Sequence, residues 1–208
     1  NVSVIPKQVY GVWDSVCALG TTIPCFEGAY AVPIFSRQTF SSKSQAERHK
    51  CLQCPPNTFS LTGSVHISNC TANMGFFGTP GTTATPCPHG TYQSMKGATT
   101  CSHCPKGTYS SLLAAINISD CRPCPANSDS PEGSAFLRHC SCNLGYTGPD
   151  GTECSACIAG TYKDVNGSSP CSLCSEGRYS TETAEILEST CSDCPAHTYS
   201  GGGSSLLT

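Results

Sequence analysis

Cysteine has the widest chemical repertoire of any residue in this sequence, and it occurs 18 times in 208 residues. Six pairs have the spacing C-x-x-C: Cys51 with Cys54, Cys101 with Cys104, Cys121 with Cys124, Cys154 with Cys157, Cys171 with Cys174, and Cys191 with Cys194. Such a pair can supply half of a zinc site, the dithiol of a redox enzyme, or two half-cystines of a scaffold. The spacing within one pair does not distinguish these chemistries, so the residues around the pairs have to be considered.

Zinc and redox chemistry both fit the surroundings poorly. The stretch from Cys101 to Cys124 and the stretch from Cys171 to Cys194 have zinc-ribbon spacing, but the same repeat contains single cysteines for which a tetrahedral site has no use. A thioredoxin-like dithiol opens a helix within a βαβ unit, whereas these pairs lie among Gly and Pro. The six histidines show no spacing suited to a catalytic triad or a metal cluster. We therefore predict no enzyme, no metal and no other cofactor.

The surroundings of the cysteines instead form a repeat. In seven places an aromatic residue follows a cysteine by five positions, as in CPHGTY from Cys87 and CPKGTY from Cys104. The seven are Tyr30, Phe59, Tyr92, Tyr109, Tyr162, Tyr179 and Tyr199. The Gly indicates a tight turn and the Thr-Tyr that follows suits a short strand. We expect each unit to bury one ring against one disulfide, so the aromatic residues are interpreted as packing residues.

The composition indicates an extracellular chain. This many cysteines is typical of secreted proteins, and sequons for N-linked glycans occur at Asn1, Asn69, Asn117 and Asn166. A net charge of −3 without a run of Lys or Arg argues against a nucleic-acid partner. No apolar stretch approaches the ~18 residues that span a bilayer. We predict a secreted or cell-surface glycoprotein whose partners are further copies of itself or neighbouring extracellular proteins.

One segment departs from the simple repeat and points to a family. Residues 124–154 read CPANSDSPEGSAFLRHCSCNLGYTGPDGTEC, which resembles the C-terminal half of an EGF module, and this resemblance implies a Cys142–Cys154 disulfide. With the CPxGTY…CxxC phrases, it resembles the ephrin-receptor-like cysteine-rich repeat and, in pattern, the first module of tumour-necrosis-factor-receptor cysteine-rich domains. The resemblance covers about residues 51–208, and 25–50 weakly. It implies a module type that occurs in receptor ectodomains and in large surface or filament proteins.

Two disulfide connectivities are compatible with the spacing. In a ladder, the cysteine that opens each phrase bonds the first cysteine of the next pair. This gives Cys25–Cys51, Cys54–Cys70, Cys87–Cys101, Cys104–Cys121, Cys124–Cys140, Cys142–Cys154, Cys157–Cys171 and Cys174–Cys191, with Cys17 and Cys194 left over. An interlaced scheme pairs Cys17 with Cys25, begins with Cys51–Cys70, Cys54–Cys87, Cys101–Cys121 and Cys104–Cys124, continues in the same way, and leaves no cysteine over. We favour the ladder because it keeps every aromatic residue inside its own loop.

The predicted fold is small and disulfide-rich: an elongated array of modules with short β-hairpins and little regular secondary structure. We expect five regions: an N-terminal junction or docking segment (1–24), an atypical first repeat with a long loop (25–50), cysteine-rich repeats (51–100), ephrin-receptor-like repeats with the EGF-like loop (101–156), and further such repeats, the last one cut off (157–208).

The function predicted from these features is structural. We expect a segment of an extracellular cysteine-rich repeat glycoprotein that forms part of a filament, a surface coat or a flagellar hair. The alternative is a receptor or adhesion-protein ectodomain, in which a similar array serves as a stalk or a ligand contact. A disulfide-exchange enzyme is the third class, and it requires a reactive thiol pair that alkylates without denaturant.

Overall fold

The computed structural model describes residues 24–33 and 49–206, together with the backbone of two short strands at 8–9 and 12–13. Within these residues the regular structure consists of ten two-stranded antiparallel sheets and four 3-10 turns. The predicted fold class, a small disulfide-rich array of modules built from short hairpins, is confirmed. The 3-10 turns lie at Ile67–Asn69, Ile118–Asp120, Leu137–His139 and Glu188–Thr190.

Each sheet is a hairpin of two strands that follow one another in the chain. The pairs are β1 (Gln8–Val9) with β2 (Val12–Trp13), β3 (Ala29–Pro33) with β4 (His49–Gln53), β5 (Thr58–Phe59) with β6 (Thr71–Ala72), β7 (Phe76–Phe77) with β8 (Thr85–Pro86), β9 (Thr91–Tyr92) with β10 (Ser102–His103), β11 (Thr108–Tyr109) with β12 (Arg122–Pro123), β13 (Ser128–Asp129) with β14 (Ser141–Cys142), β15 (Tyr146–Thr147) with β16 (Ser155–Ala156), β17 (Thr161–Tyr162) with β18 (Ser172–Leu173), and β19 (Arg178–Tyr179) with β20 (Ser192–Asp193). A two-stranded hairpin is marginal in water by itself, so each needs a further constraint.

In eight of the ten described hairpins that constraint is a disulfide placed at the same point. In the module of Cys87 and Cys101, β9 begins four residues after the first cysteine and β10 directly after the second. Between the first cysteine and its strand lies a turn closed by a hydrogen bond from the Thr91 amide to the Pro88 carbonyl. Gly90 occupies the third position of this turn with φ +78°, the left-handed conformation that a type II turn requires. The CPxGTY phrase is therefore the sequence of a cystine-anchored turn leading into a strand.

The cores of the modules are made of sulfur and small polar groups rather than of rings. The half-cystines Cys70, Cys87, Cys104, Cys140, Cys142 and Cys174 are completely buried. Six of the seven repeat aromatic residues are only half-buried and Tyr199 is exposed, so the expected burial of a ring in each module occurs in part. The residue after the aromatic position is buried instead, as at Ser60, whose hydroxyl donates to the Ala29 carbonyl at 2.9 Å.

The disulfides show a longer repeat of two similar halves. Cys54–Cys70, Cys87–Cys101 and Cys104–Cys121 recur as Cys124–Cys140, Cys157–Cys171 and Cys174–Cys191, each cysteine about 70 residues further along the chain, the spacing of an array repeat. The hairpins and 3-10 turns recur at the same interval. We call residues 54–123 the first half and residues 124–193 the second half. The Cys142–Cys154 disulfide belongs to the second half alone, and the corresponding residues of the first half are Ala72 and Ala84.

By its internal contacts the chain divides into two compact units. The first comprises Asn1–Cys87 and Gln93–Cys101, and the second comprises Pro88–Tyr92 and Ser102–Thr208. In each unit, successive modules are joined by backbone hydrogen bonds that leave from the turns. The five sequence regions subdivide these units at other positions and stay a prediction.

Candidate functional site

The cysteine array is the feature of this chain that can act chemically, and the structure joins most of it in pairs. The described residues contain eight disulfides, and these are the eight pairs of the ladder. Sulfurs in disulfides are neither thiolate ligands for zinc nor exchangeable dithiols. Within the residues the structure describes, no group of His, Cys, Asp and Glu side chains gathers in a way that could hold a metal ion. Cys17 lies outside the described residues.

Cys194 is the one free cysteine in the described part of the chain. Its half-buried thiol lies 3.2 Å from the hydroxyl of Ser200, which in turn donates to the Arg178 carbonyl at 3.0 Å. The thiol therefore sits at the opening of a module, in the position that a half-cystine occupies in the other modules.

Reciprocal backbone hydrogen bonds connect one module to the next. In the second unit, the amide of Gly107 donates to the Ser130 carbonyl of the next module at 2.9 Å, and the amide of Gly133 donates back to the Cys104 carbonyl at 2.9 Å. In the first unit, Gly75 and Gly97 form the same arrangement with the carbonyls of Gln93 and Ala72. In the second unit, the turn that Cys104 anchors thus also carries the donor that holds the neighbouring module.

Close approach at these junctions explains why some of the turns need glycine. A Cβ atom built on Gly90 would lie 2.1 Å from the carbonyl oxygen of Gly133, whereas one built on Gly177 would meet nothing within 4 Å. Both glycines have positive φ, at +78° and +79°. Gly90 therefore has to be glycine for two reasons, its positive φ and its close contact with Gly133. At Gly177 only the positive φ favours glycine.

Lys163 is the largest fully buried side chain among the described residues, and no sequence pattern predicted its burial. Only 1 % of Lys163 is exposed, and its ammonium donates to the carbonyls of Tyr146, at 2.7 Å, and Gly167. Burial lowers the pKa of Lys163 below its usual value, and the nearby charge of Asp150 opposes this shift. The corresponding residue of the first half is Gln93, which is also buried and donates to the Thr100 carbonyl at 2.8 Å. In both halves, the residue after the repeat aromatic residue therefore donates hydrogen bonds to backbone carbonyls of a nearby loop.

The second unit also has a partly exposed aromatic cluster. The ring of Phe136 lies 5.5 Å from that of His89 and 5.7 Å from that of His139, and the Arg138 guanidinium stands 4.4 Å from the Phe136 centroid. An open depression of about 440 Å³ lies beside it, lined by Pro131, Glu132, Gly133, Ser134, His139 and Ser141. Its shallow, mixed lining differs from the enclosed, mostly apolar site that a small ligand usually occupies.

Three of the four predicted sequons lie in the described residues, and all three asparagines are exposed. Asn69 ends the 3-10 turn Ile67–Asn69 and Asn117 precedes the turn Ile118–Asp120; the side-chain oxygen of each accepts a backbone N–H. Asn166 lies in the loop between β17 and β18. Asn1 lies outside the described residues, and occupancy of all four stays a prediction.

The features missed from the sequence have one recognisable signal. Shifting the sequence by about 70 residues aligns Cys54 to Cys121 with Cys124 to Cys191 without a gap, which is the self-similarity expected of an array. That alignment would have placed Ala72 and Ala84 opposite Cys142 and Cys154. The burial of Lys163 has no comparable signal, since Lys is seldom fully buried.

Comparison with known proteins agrees with the module pattern. Residues 76–121 match a family model described as "Tyrosine-protein kinase ephrin type A/B receptor-like". This is a receptor-like cysteine-rich module and not an enzyme family. No significant match was found among curated proteins. In the described part of the chain there is no helix with the length and apolar character to cross a bilayer. The disulfides and this module fit an extracellular location.

Proposed function

Because the chain is an ephrin-receptor-like cysteine-rich repeat protein, we propose that it is a structural segment of an extracellular glycoprotein, as a subunit of a filament, a surface coat or a flagellar hair. The role needs no catalysis and no bound cofactor. N-linked glycans at Asn69, Asn117 and Asn166, and at Asn1, would cover its thin modules. Its partners would be further copies of itself or neighbouring extracellular proteins.

The observation that carries the proposal is the repetition of one mechanical unit. The modules share a hairpin and backbone hydrogen bonds to the next module, and from β3 to β20 all but the β7–β8 hairpin have a disulfide across the base. Nearest-neighbour contacts of this kind let an array be lengthened without changing its construction. Loops of ~15 residues closed by disulfides each contribute ~3 kcal/mol in the chain-entropy estimate, which replaces the large apolar core that these modules lack.

The disulfides also set how far the chain can be stretched. Their loops enclose roughly 130 of the roughly 165 residue steps between Cys25 and Cys191, and an extended chain spans about 3.5 Å per residue. The oxidised segment can therefore extend to roughly 160 Å, against roughly 580 Å when every disulfide is reduced. A segment that resists extension in this way suits a structural part exposed to load and to proteases.

Single-molecule force spectroscopy tests the mechanical half of the proposal. Handles attached outside Cys25 and Cys191 should report a gain in contour length of roughly 400 Å when reductant is added. A long oxidised contour, close to that of the reduced chain, would show that the disulfides do not limit extension and would contradict the proposal.

Self-assembly of the oxidised, glycosylated chain tests the filament half. Sedimentation velocity and electron microscopy over a range of concentrations should show growing polymers rather than a fixed species. A strictly monomeric chain at all concentrations would remove the filament role and leave the array as a spacer.

The second candidate is a receptor or adhesion-protein ectodomain, and the family match favours it because the matched family is described as receptor-like. In that case the array would be a stalk or a ligand contact. A membrane anchor and signalling domain in the same gene product, with a monomeric array, would support this candidate over the filament.

A further inference from the structure

One loop in the second unit presents apolar side chains to solvent. Between Leu112 and Ile118, four residues are apolar and about half exposed: Leu112 at 47 %, Leu113 at 59 %, Ile116 at 50 % and Ile118 at 52 %. Single exposed apolar residues are ordinary, whereas contiguous ones indicate that something covers them. We call these four residues the apolar loop.

Hydrogen bonds fix the backbone of the second part of this loop. The amides of Ile116 and Asn117 both donate to one carboxylate oxygen of Asp120 at 3.0 Å, and the Ser119 amide donates to the Asn117 side-chain oxygen at 3.1 Å. This reciprocal capping box fixes the entry into the 3-10 turn Ile118–Asp120. The backbone of Ile116 and Ile118, the residues on either side of Asn117, is consequently fixed.

Asn117 is also the acceptor residue of a sequon, Asn117-Ile118-Ser119. Its side-chain oxygen is used by the cap, and it is exposed. An N-linked glycan at this residue would therefore start from the middle of the apolar loop. Such glycans are bulky and solubilising.

The second half provides an internal comparison for this loop. The residues that correspond to Leu112, Leu113 and Ile118 are Glu182, Thr183 and Glu188, and Glu185 corresponds to Ala115. The residue that corresponds to Asn117 is Leu187, so the second loop has no sequon and no side-chain cap. It keeps Ile186 and Leu187 exposed, but three glutamates surround them. One chain thus contains the same loop twice, apolar where a sequon is present and acidic where it is absent.

We propose that the N-linked glycan of Asn117 covers the apolar loop and keeps it from associating with other molecules. The proposal rests on the glycoprotein character put forward above and assigns a distinct task to one of its glycans. The apolar faces of the first N-acetylglucosamine residues would pack on Ile116 and Ile118, while their hydroxyl groups remain in water. In the second half, the charges of Glu182, Glu185 and Glu188 do the same work without sugar.

The test uses the chain secreted from eukaryotic cells. S119A destroys this sequon and leaves Asn117 with its cap, because the Ser119 hydroxyl makes no hydrogen bond in the structure while its amide does. S168A is the matched control, since it destroys the sequon of Asn166, which lies in another exposed loop. We expect S119A to bind several-fold more of an apolar dye such as anilinonaphthalene sulfonate than S168A, and to self-associate at concentrations where S168A does not.

A rescue variant separates the loss of the sugar from general misfolding. S119A combined with L112E, L113T and I118E copies the second-half residues into the first, and it should return dye binding and sedimentation to the S168A level. Equal dye binding by S119A and S168A, or failure of the rescue in a chain whose disulfide map is intact, would overturn the proposal.

Glycopeptide mass spectrometry distinguishes failure of this inference from failure of the proposed function. Asn117 without a glycan, in a chain that has one at Asn166, would overturn this inference alone. A chain without a glycan at any sequon would also overturn the proposal that the protein is a glycoprotein. Self-association of the fully glycosylated chain that I118E abolishes would identify a second copy, rather than the glycan, as the occupant of the apolar loop.

Discussion

The missing disulfide of the first half should be restorable. The backbone around Ala72 and Ala84 makes the same hydrogen bonds as that around Cys142 and Cys154. Ala84 donates to the Pro56 carbonyl at 3.2 Å and accepts from the Asn57 side chain at 3.1 Å. Both alanines are buried, at 3 % and 2 % exposure. We therefore expect A72C/A84C to form a disulfide without moving the backbone.

The equivalent bonds in the second half support the same geometry. Cys154 donates to the Ala126 carbonyl at 3.2 Å and accepts from the Asn127 side chain at 3.1 Å. The Cys142 and Cys154 Cα atoms lie 5.6 Å apart, inside the range that a disulfide bridges.

The gain follows from the length of the loop that would be closed. Cys142 and Cys154 are separated by 12 positions, as are Ala72 and Ala84. Closing a loop of this length contributes about 3 kcal/mol in the chain-entropy estimate. Because the modules of an array open locally, this gain should appear as protection of nearby amides rather than as one global transition.

Hydrogen exchange is the appropriate assay. The amides of Gly97 and Cys87 donate to the carbonyls of Ala72 and Gly75, so they report opening of this module. Their exchange in A72C/A84C should slow on the order of 100-fold, since each 1.4 kcal/mol is a factor of ten. The reciprocal variant C142A/C154A should speed exchange at Gly167 by a similar factor.

The single variants A72C and A84C are the controls, because each adds one thiol and no bond. Two alkylatable thiols in the folded double variant, or a disulfide that leaves exchange at Gly97 unchanged, would refute the reasoning that the two halves share one geometry and that loop closure stabilises them.

Three further predictions concern the junctions and the buried lysine. G90A should destabilise its module by well over the ~1–2 kcal/mol of a left-handed residue, because its Cβ would overlap the Gly133 carbonyl, whereas G177A should cost only that amount; amide exchange compares them. K163M should cost about 1–3 kcal/mol by leaving the Tyr146 and Gly167 carbonyls without their donor, while K163Q, which copies Gln93, should cost less, as measured by exchange at Cys157. Nuclear magnetic resonance should show Lys163 titrating below 10.5, its usual pKa. Because the unfolded chain then holds this proton to higher pH than the folded chain, the stability contributed by Lys163 should rise with pH as 10.5 is approached. A pKa at or above 10.5 would contradict the assigned burial.

The hairpins and the turns were predictable because the residues that form each turn are neighbours in the sequence. The Gly and Thr of CPHGTY supply the positive φ of Gly90 and a hydroxyl that donates to the Pro88 carbonyl at 2.8 Å. Long-range features were less accessible. The junction bond from Gly107 to Ser130 and the burial of Lys163 depend on how one module meets the next. Glycines and lysines also occur at exposed positions of this chain, so the residue type alone does not identify Gly107 as a junction donor or Lys163 as a buried residue.

The packing of the repeat aromatic residues shows the same division. Their spacing identified the modules, yet Tyr109 is only half-buried while Ser110, the next residue, is 1 % exposed. A period-two strand places neighbouring side chains on opposite faces, so one of the two must point inward. The inward residue is the one after the ring in five modules, and it ranges in size from Ser60, Ser110 and Ser180 to Gln93 and Lys163. The size of the side chain therefore does not decide which of the two neighbouring residues is buried.

The construction also explains how an array can vary without losing its fold. The Cys25–Cys51 disulfide spans 26 positions and the Cys104–Cys121 disulfide spans 17, although both clamp a hairpin that begins four residues after the first cysteine. Loop-closure entropy grows only with the logarithm of length, so the longer loop costs ~0.4 kcal/mol more. The five-residue strands β3 and β4 extend beyond the clamp, as far as the pairing of Pro33 with His49. Differences in loop length and chemistry, such as the apolar loop of the first half and its acidic counterpart, can therefore accumulate at the tips while the cystine-anchored turns remain the same. Function specific to this chain is consequently expected in its loops, and mechanical resistance in its disulfides.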